Sequence, residues 1–242
     1  MTTDVTPRTW AIARHRITED VVGSVIVWAA FALVVAAIGA AIAVAGTIGT
    51  SVWEQASQLP RWYAGAVGVY FTAVYLPMYV AHGQTRREFG VQIPPVIALF
   101  SGMLALLMTV GFAIETVIYR AFDWPQTLTV NHLFDAPTQL GLVFFAEFAL
   151  VFVVWTIAGA VVGAGFYRDR RLGFALLLPG IPAIAWTETV VGPTWAGSLP
   201  ILAGAATGSL VSAVVTALGI FALGVAAMWL VIRDLPLRTR DA

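Results

Sequence analysis

Residues 82–94 read His-Gly-Gln-Thr-Arg-Arg-Glu-Phe-Gly-Val-Gln-Ile-Pro and stand between two apolar runs, 62–81 and 94–119. A transmembrane helix needs roughly 20 mostly apolar residues to cross about 30 Å of hydrocarbon, and each run is long enough. The charged interruption between them, Arg86, Arg87 and Glu88, therefore lies at a membrane face. Four more runs of this kind, 21–46, 139–166, 174–191 and 201–232, follow the same rule. With 60% apolar and 11% charged residues over 242 positions, the composition is that of a polytopic membrane protein. The expected fold is all-α, with six transmembrane helices. Residues 1–20 form an N-terminal segment, 21–232 the membrane domain and 233–242 a C-terminal tail.

Orientation follows from the arginines, because every basic residue other than histidine is Arg. Arg8, Arg14, Arg16, Arg86, Arg87, Arg168, Arg170, Arg171, Arg233, Arg238 and Arg240 fall on one side of a six-span topology, and only Arg61 and Arg120 on the other. The positive-inside rule then places both termini and the Arg86 loop in the cytoplasm. An even number of spans with both termini on one side agrees with this.

Ala41-Ile42-Ala43 resembles a signal-peptide cleavage site. The apolar stretch before it exceeds an h-region of about 7–15 residues, however, and Asp4, Glu19 and Asp20 are foreign to such a leader. The first run is expected to be retained. Before it, Trp10, Ala13 and Ile17 share one helical face, which suggests an interfacial amphipathic helix along the cytoplasmic leaflet; the alternative is a partly ordered basic tail. Thr18 is a candidate cap for the span that follows.

Loops 47–61 and 120–138 face the other side, and Asp135 with Pro137 is a start signal for the fourth span. The fifth and sixth spans are less regular. Pro179, Gly180 and Pro182 interrupt one, and Pro193 and Pro200 stand between them. An unbroken helix from 200 to 232 would run about 50 Å, so a broken or re-entrant element over 174–208 is expected, either marking a substrate path or reflecting ordinary proline kinks. Gly159 with Gly163, and Gly204 with Gly208, are small residues four apart that let helices pack closely.

Three carboxylates fall within the spans: Glu115, Glu147 and Glu188. A charge in hydrocarbon costs about 2.5–3.5 kcal/mol even on a lenient scale, so each must face protein or water or carry a proton. They either line a pathway or serve structure, Glu115 by pairing with Arg120 and Glu188 by reaching the headgroups. Glu147 has no basic residue close in sequence.

Catalytic constellations are missing. His15, His82 and His132 lie outside the spans, no His-Glu-x-x-His pattern offers a zinc site, and a chain without lysine has no Gly-x-x-x-x-Gly-Lys-Ser/Thr loop. The chain has no cysteine. No catalytic residue, metal site or enzyme activity is expected.

The segment Gly83-Gln84-Thr85-Arg86-Arg87-Glu88-Phe89 resembles the Gly-x-Thr/Ser-Arg-Arg-x-Phe/Leu segment of permease subunits in bacterial ATP-binding-cassette exporters of the ABC-2-like type. The stretch 159–171, containing Gly163-Ala-Gly-Phe-Tyr-Arg168, is similar to a segment of bacterial members. The resemblance implies that the loop after the second span forms a short coupling helix docked on a separate ATPase subunit. Thr85 would then be its cap, Arg86, Arg87 and Glu88 its polar contacts and Phe89 an exposed aromatic anchor. Docking by two guanidiniums and one packed ring is physically sound; Arg86 and Arg87 acting only as inside anchors is the plainer alternative.

The resemblance further implies a second permease chain, identical or a sister, with membrane lipid around the pair. ATP and Mg would be bound by the ATPase, with no cofactor in this chain and no nucleic-acid partner. The location would be a bacterial cytoplasmic membrane, and the cargo amphipathic or lipid-like. The alternatives are an ion-coupled carrier using Glu115 and Glu147, and a non-transporting membrane anchor or sensor.

Overall fold

The computed structural model describes residues 9–46, 48–129, 132–134, 141–192 and 209–234, with side chains from residue 22 onward. Six segments are helical, long and apolar enough to cross a membrane: Val22–Ala45, Val52–Ala81, Arg86–Ala121, Leu142–Arg168, Arg170–Val191 and Leu210–Ile232. Among the described residues there is no strand, only an isolated bridge between Thr50 and Thr127. The protein is a multi-pass, all-helical membrane protein.

The first helix, α1 (Thr9–Ala45), is continuous. It runs through Thr18, which is therefore no cap, because neither proline nor glycine interrupts residues 9–22. Val22, Ile26, Leu33 and Val44 are exposed, while Trp28 and Val35, seven apart, are buried on one face. Such a helix offers most of its circumference to lipid.

The second span is longer than its apolar run. It comprises α2 (Val52–Ala56), α3 (Gln58–Tyr70), a π-helical turn (Phe71–Tyr75) and α4 (Leu76–Ala81). Pro77 lies in the first turn of α4. A proline ring collides with the carbonyl four residues back and donates no hydrogen bond; widening the preceding turn relieves both problems. Thr72, in the wide turn, donates its hydroxyl to the Ala160 carbonyl at 2.8 Å.

The next helix, α5 (Arg86–Ala121), starts immediately after the loop. The loop is thus only residues 82–85, turned by Gly83 at φ 81°, the charged residues Arg86, Arg87 and Glu88 form the first turn of α5, and the short separate helix expected from the resemblance is not formed. Once Thr85 caps the chain at this point, Pro94 and Pro95 lie inside a helix that continues past them.

At the centre stands α6 (Leu142–Arg168), packed against α3, α5, α7 and α8. It is apolar on all sides, as a helix surrounded by protein must be. Asp169, in extended conformation, caps α7 (Arg170–Val191) by accepting from the amides of Arg171 at 2.7 Å and Leu172 at 3.3 Å. Contrary to expectation, α7 is unbroken through Pro179 and Pro182, both of which lie on its exposed face. The sixth span, α8 (Leu210–Ile232), begins at a Ser209 cap. The expected re-entrant stretch, Gly204 and Gly208, and the start signal at Asp135 and Pro137 lie outside the described residues.

Close approach of α3 to α6 rests on glycine. A Cβ on Gly159 would collide with the carbonyl oxygen of Gly65, one on Gly68 with that of Thr156, and one on Gly163 with Thr72. The small-residue pair expected to pack a helix does so, within the chain. Replacing Gly159 by Val puts a side chain into fixed backbone, and overpacking costs about 1–3 kcal/mol or more. Thermal unfolding in detergent is expected to show this loss. Gly219→Ala on α8, whose new Cβ meets nothing within 4 Å, should change stability by less than about 1 kcal/mol.

Candidate functional site

Two polar constellations occupy opposite ends of the bundle. At the end away from Arg86, Ser51 caps α2 by accepting from the Glu54 amide at 3.1 Å, which turns Glu54 inward. The Glu54 carboxylate accepts from the Thr129 amide at 2.8 Å, its hydroxyl at 2.9 Å and His132 Nε2 at 3.1 Å. On α6, Glu147 is fully buried. It accepts from His132 Nδ1 at 2.5 Å and from the Leu133 amide at 2.7 Å.

His132 therefore bridges two carboxylates from different helices. A neutral imidazole has one donor nitrogen, so with both carboxylates ionised the two contacts require the doubly protonated ring. Burial alone would lower its proton affinity. Hydrogen bonds to Glu147 and Glu54, together with their negative charge, outweigh burial and raise the His132 pKa above the ordinary histidine value. Phe134 stacks on the ring at 4.4 Å between centroids, so the segment 132–134 is clasped to the bundle by charge and by aromatic contact.

Arg61 occupies the same region. It was expected in a watery loop, yet it is 1% exposed. Its Nη1 donates to Glu188 Oε1 on α7 at 3.2 Å, and its Nη2 to Ser57 Oγ at 3.1 Å. Trp155 on α6 donates its indole N–H to the same Glu188 oxygen at 2.9 Å. Glu188 is thus held inside the protein and does not reach for headgroups.

Glu115 makes a third arrangement, also different from its expected pairing with Arg120. It accepts from Ser51 Oγ at 2.6 Å, the Trp53 amide at 2.8 Å and Gln126 Nε2 at 2.8 Å. These bonds join the segments before α2 and after α5, as does the Ser51 amide donating to Thr127 at 3.0 Å.

The three intramembrane carboxylates are therefore all engaged, and Glu54, Arg61 and His132 complete two of their sites. Residue-by-residue inspection misses those partners because they lie 15 to 127 positions away in sequence. A signal was present nevertheless: Arg61 stands directly before the apolar run 62–81, and His132 is the one histidine in a segment facing Glu147's end of the membrane. Among the described residues, no three His, Asp or Glu side chains form a metal-holding group.

At the opposite end, Thr85 and Glu88 form a reciprocal capping box. The Glu88 amide donates to Thr85 Oγ1 at 3.2 Å, and the Thr85 amide donates to Glu88 Oε2 at 2.7 Å. Arg86 donates to the Arg233 carbonyl at 3.4 Å and Arg168 to the Val231 carbonyl at 3.2 Å, which gathers the ends of α5, α6 and α8. Arg87 is exposed and makes no hydrogen bond or ion pair among the described residues. Phe89 departs from expectation. It is 1% exposed and packs edge-on against Tyr79 at 5.7 Å, because the fourth position of a capped helix points back to the bundle. It is an internal anchor, with no free ring to offer a partner.

Comparison with family models gives no match, and no curated protein or solved structure is significantly similar to the chain.

Two outcomes follow from the network. A raised histidine pKa contributes stability that is complete below the unfolded value of about 6.5 and is lost as pH climbs through the higher folded value. The melting temperature in detergent should therefore fall as pH rises above neutrality, and His132→Gln should flatten that profile while lowering it at pH 6. Breaking a buried pair by removing one member costs about 3–5 kcal/mol, whereas replacing both by apolar groups is often neutral. Arg61→Met alone should show the larger loss on chemical unfolding, and Arg61→Met combined with Glu188→Leu should recover most of it.

Proposed function

We propose that the chain is the transmembrane permease subunit of an ATP-driven exporter of the ATP-binding-cassette class, in a bacterial cytoplasmic membrane with both termini inside. It pairs with a second permease chain to form the pathway, and separate ATPase subunits bind ATP and Mg. The observation that carries this is the corner at Thr85. A capping box fixes the first turn of α5, and Arg87 stands exposed on it, beside Arg86 and the gathered ends of α6 and α8. A rigid cationic corner supports docking of an acidic surface by charge-assisted hydrogen bonds. Since Phe89 is internal, the docking rests on the guanidiniums and on the stiffness of the cap.

A second proposal, an ion-coupled carrier, draws on one feature: Glu188 Oε2 is buried with no hydrogen-bond donor among the described residues. Against it, the α6 segment from Ile157 to Tyr167 carries no ionisable side chain other than the terminal tyrosine, so no proton relay continues toward the other face along the central helix.

Co-purification in mild detergent separates the two. An ATPase bearing a Gly-x-x-x-x-Gly-Lys-Ser/Thr loop should accompany the wild-type chain. Arg87→Glu should weaken that association at least about tenfold, the scale of one lost charge-assisted hydrogen bond, with the melting curve of the chain unchanged. Retention of a fully coupled ATPase by the Arg86→Glu, Arg87→Glu double variant would sink the docking proposal, and uptake by the purified chain driven by a pH gradient alone would favour the carrier.

A further inference from the structure

An open-sided groove of about 540 Å³ lies between α1 and the far half of α5, within the roughly 300–1,000 Å³ typical of small-molecule sites. Gly39 and Ala43 on one wall and Ile114 and Ile118 on the other make it apolar along its length. At the end away from Arg86 it closes on a different chemistry. Trp53, Tyr119, Phe122 and Trp124 line it there together with Glu115. Phe122 stacks on Trp124 at 4.9 Å, and Tyr119 meets Trp124 edge-on at 5.8 Å.

Glu115 is the groove's acid. Three neutral groups donate to its oxygens, and it forms no ion pair among the described residues. Arg120, five residues further along the helix, is exposed and points to another face, because side chains meet at spacings of three or four. A carboxylate without a counter-charge, set among aromatic rings at the end of an apolar slot, complements one kind of ligand.

We propose that this groove binds a single-chain quaternary ammonium amphiphile, with its alkyl chain between α1 and α5 and its head against Glu115 and the aromatic rim. Aromatic faces attract quaternary ammonium ions, and such a head carries no N–H. It therefore does not compete for the oxygen positions that Ser51, Trp53 and Gln126 already use, but adds the missing positive charge. A phospholipid would bring a phosphate toward Glu115 and be repelled. The open side of the groove gives access from the hydrocarbon. Binding here requires neither an ATPase nor the cytoplasmic corner, so it stands or falls apart from the exporter proposal.

The test uses the whole chain in an uncharged maltoside detergent. It is titrated with a dodecyltrimethylammonium brominated on its chain, which quenches tryptophan, and with the equally brominated, uncharged dodecanol. The ammonium should quench saturably and bind about tenfold tighter, as expected for one charge-supported contact. Glu115→Gln should abolish that preference and leave the alcohol's affinity unchanged. Gly39→Leu, at a position where an added Cβ meets nothing within 4 Å, should fill the slot and weaken both probes without disturbing Glu115; it decides the matter even if the Glu115 variant fails to fold. Equal affinity of the two probes for the wild type, or no effect of Gly39→Leu, overturns the proposal. Competition by dodecylphosphocholine as strong as by the ammonium overturns it in favour of a phosphocholine lipid.

Discussion

Polar groups taken out of water must find their partners inside the protein, and in this chain the partners of Glu147 and Glu188 are what join the helices at one end of the bundle. An unpaired charge in hydrocarbon is costly, so Glu147 on α6 and Glu188 on α7 fix the positions of groups far away in sequence. Glu147 draws in His132, His132 in turn reaches Glu54 on α2, and Glu188 draws in Arg61 on α3. Three carboxylates face two cations, and the backbone amides of Leu133 and Thr129 supply donors that the cations do not. Remove that requirement and the segment 132–134 keeps only the apolar and aromatic packing of Leu133 and Phe134 to hold it against the bundle.

The opposite end is organised by a different force. There the arginines lie near water, and their structural contacts are to carbonyls at helix ends, Arg86 to Arg233 and Arg168 to Val231. Exposed cations at helix C-termini gain modestly from the helix dipole, so α8 is tied at this end by contacts that salt and solvent weaken. One end therefore carries its ionic contacts buried, and the other carries them near water above a packed apolar layer of Tyr79, Phe89 and Ile232.

Six spans were legible because hydrocarbon thickness imposes a length on each of them, and the Thr85 cap was legible because a capping box is complete within four residues. The close packing of Gly159 and Gly163 was also readable, but its partner was not. Nothing local distinguishes Gly65 and Thr72 of the same chain from the face of a second chain. The partners of Glu147 and Glu188 were hidden for the same reason, since pairing across 15 and 127 residues is decided by how helices meet. Phe89 misled because an aromatic residue two and three positions after a pair of arginines looks exposed; helical phase, set by the cap, turns it inward. The unbroken course of α7 shows the converse, for proline in the sequence reads as a break while the helix carries Pro179 and Pro182 on its exposed face.

The wide turn at Phe71–Tyr75 changes what one span can do. A single additional residue in a helix rotates everything beyond it by about 100°. Up to and within the turn, Gly65, Gly68 and Thr72 present their face to α6; beyond it, Tyr79 meets Phe89 on α5. One strand of chain thus serves two neighbours in succession, with the change of allegiance made at Pro77. The two ends of the bundle are thereby connected through one span whose halves face different neighbours, which a straight helix of the same sequence could not do.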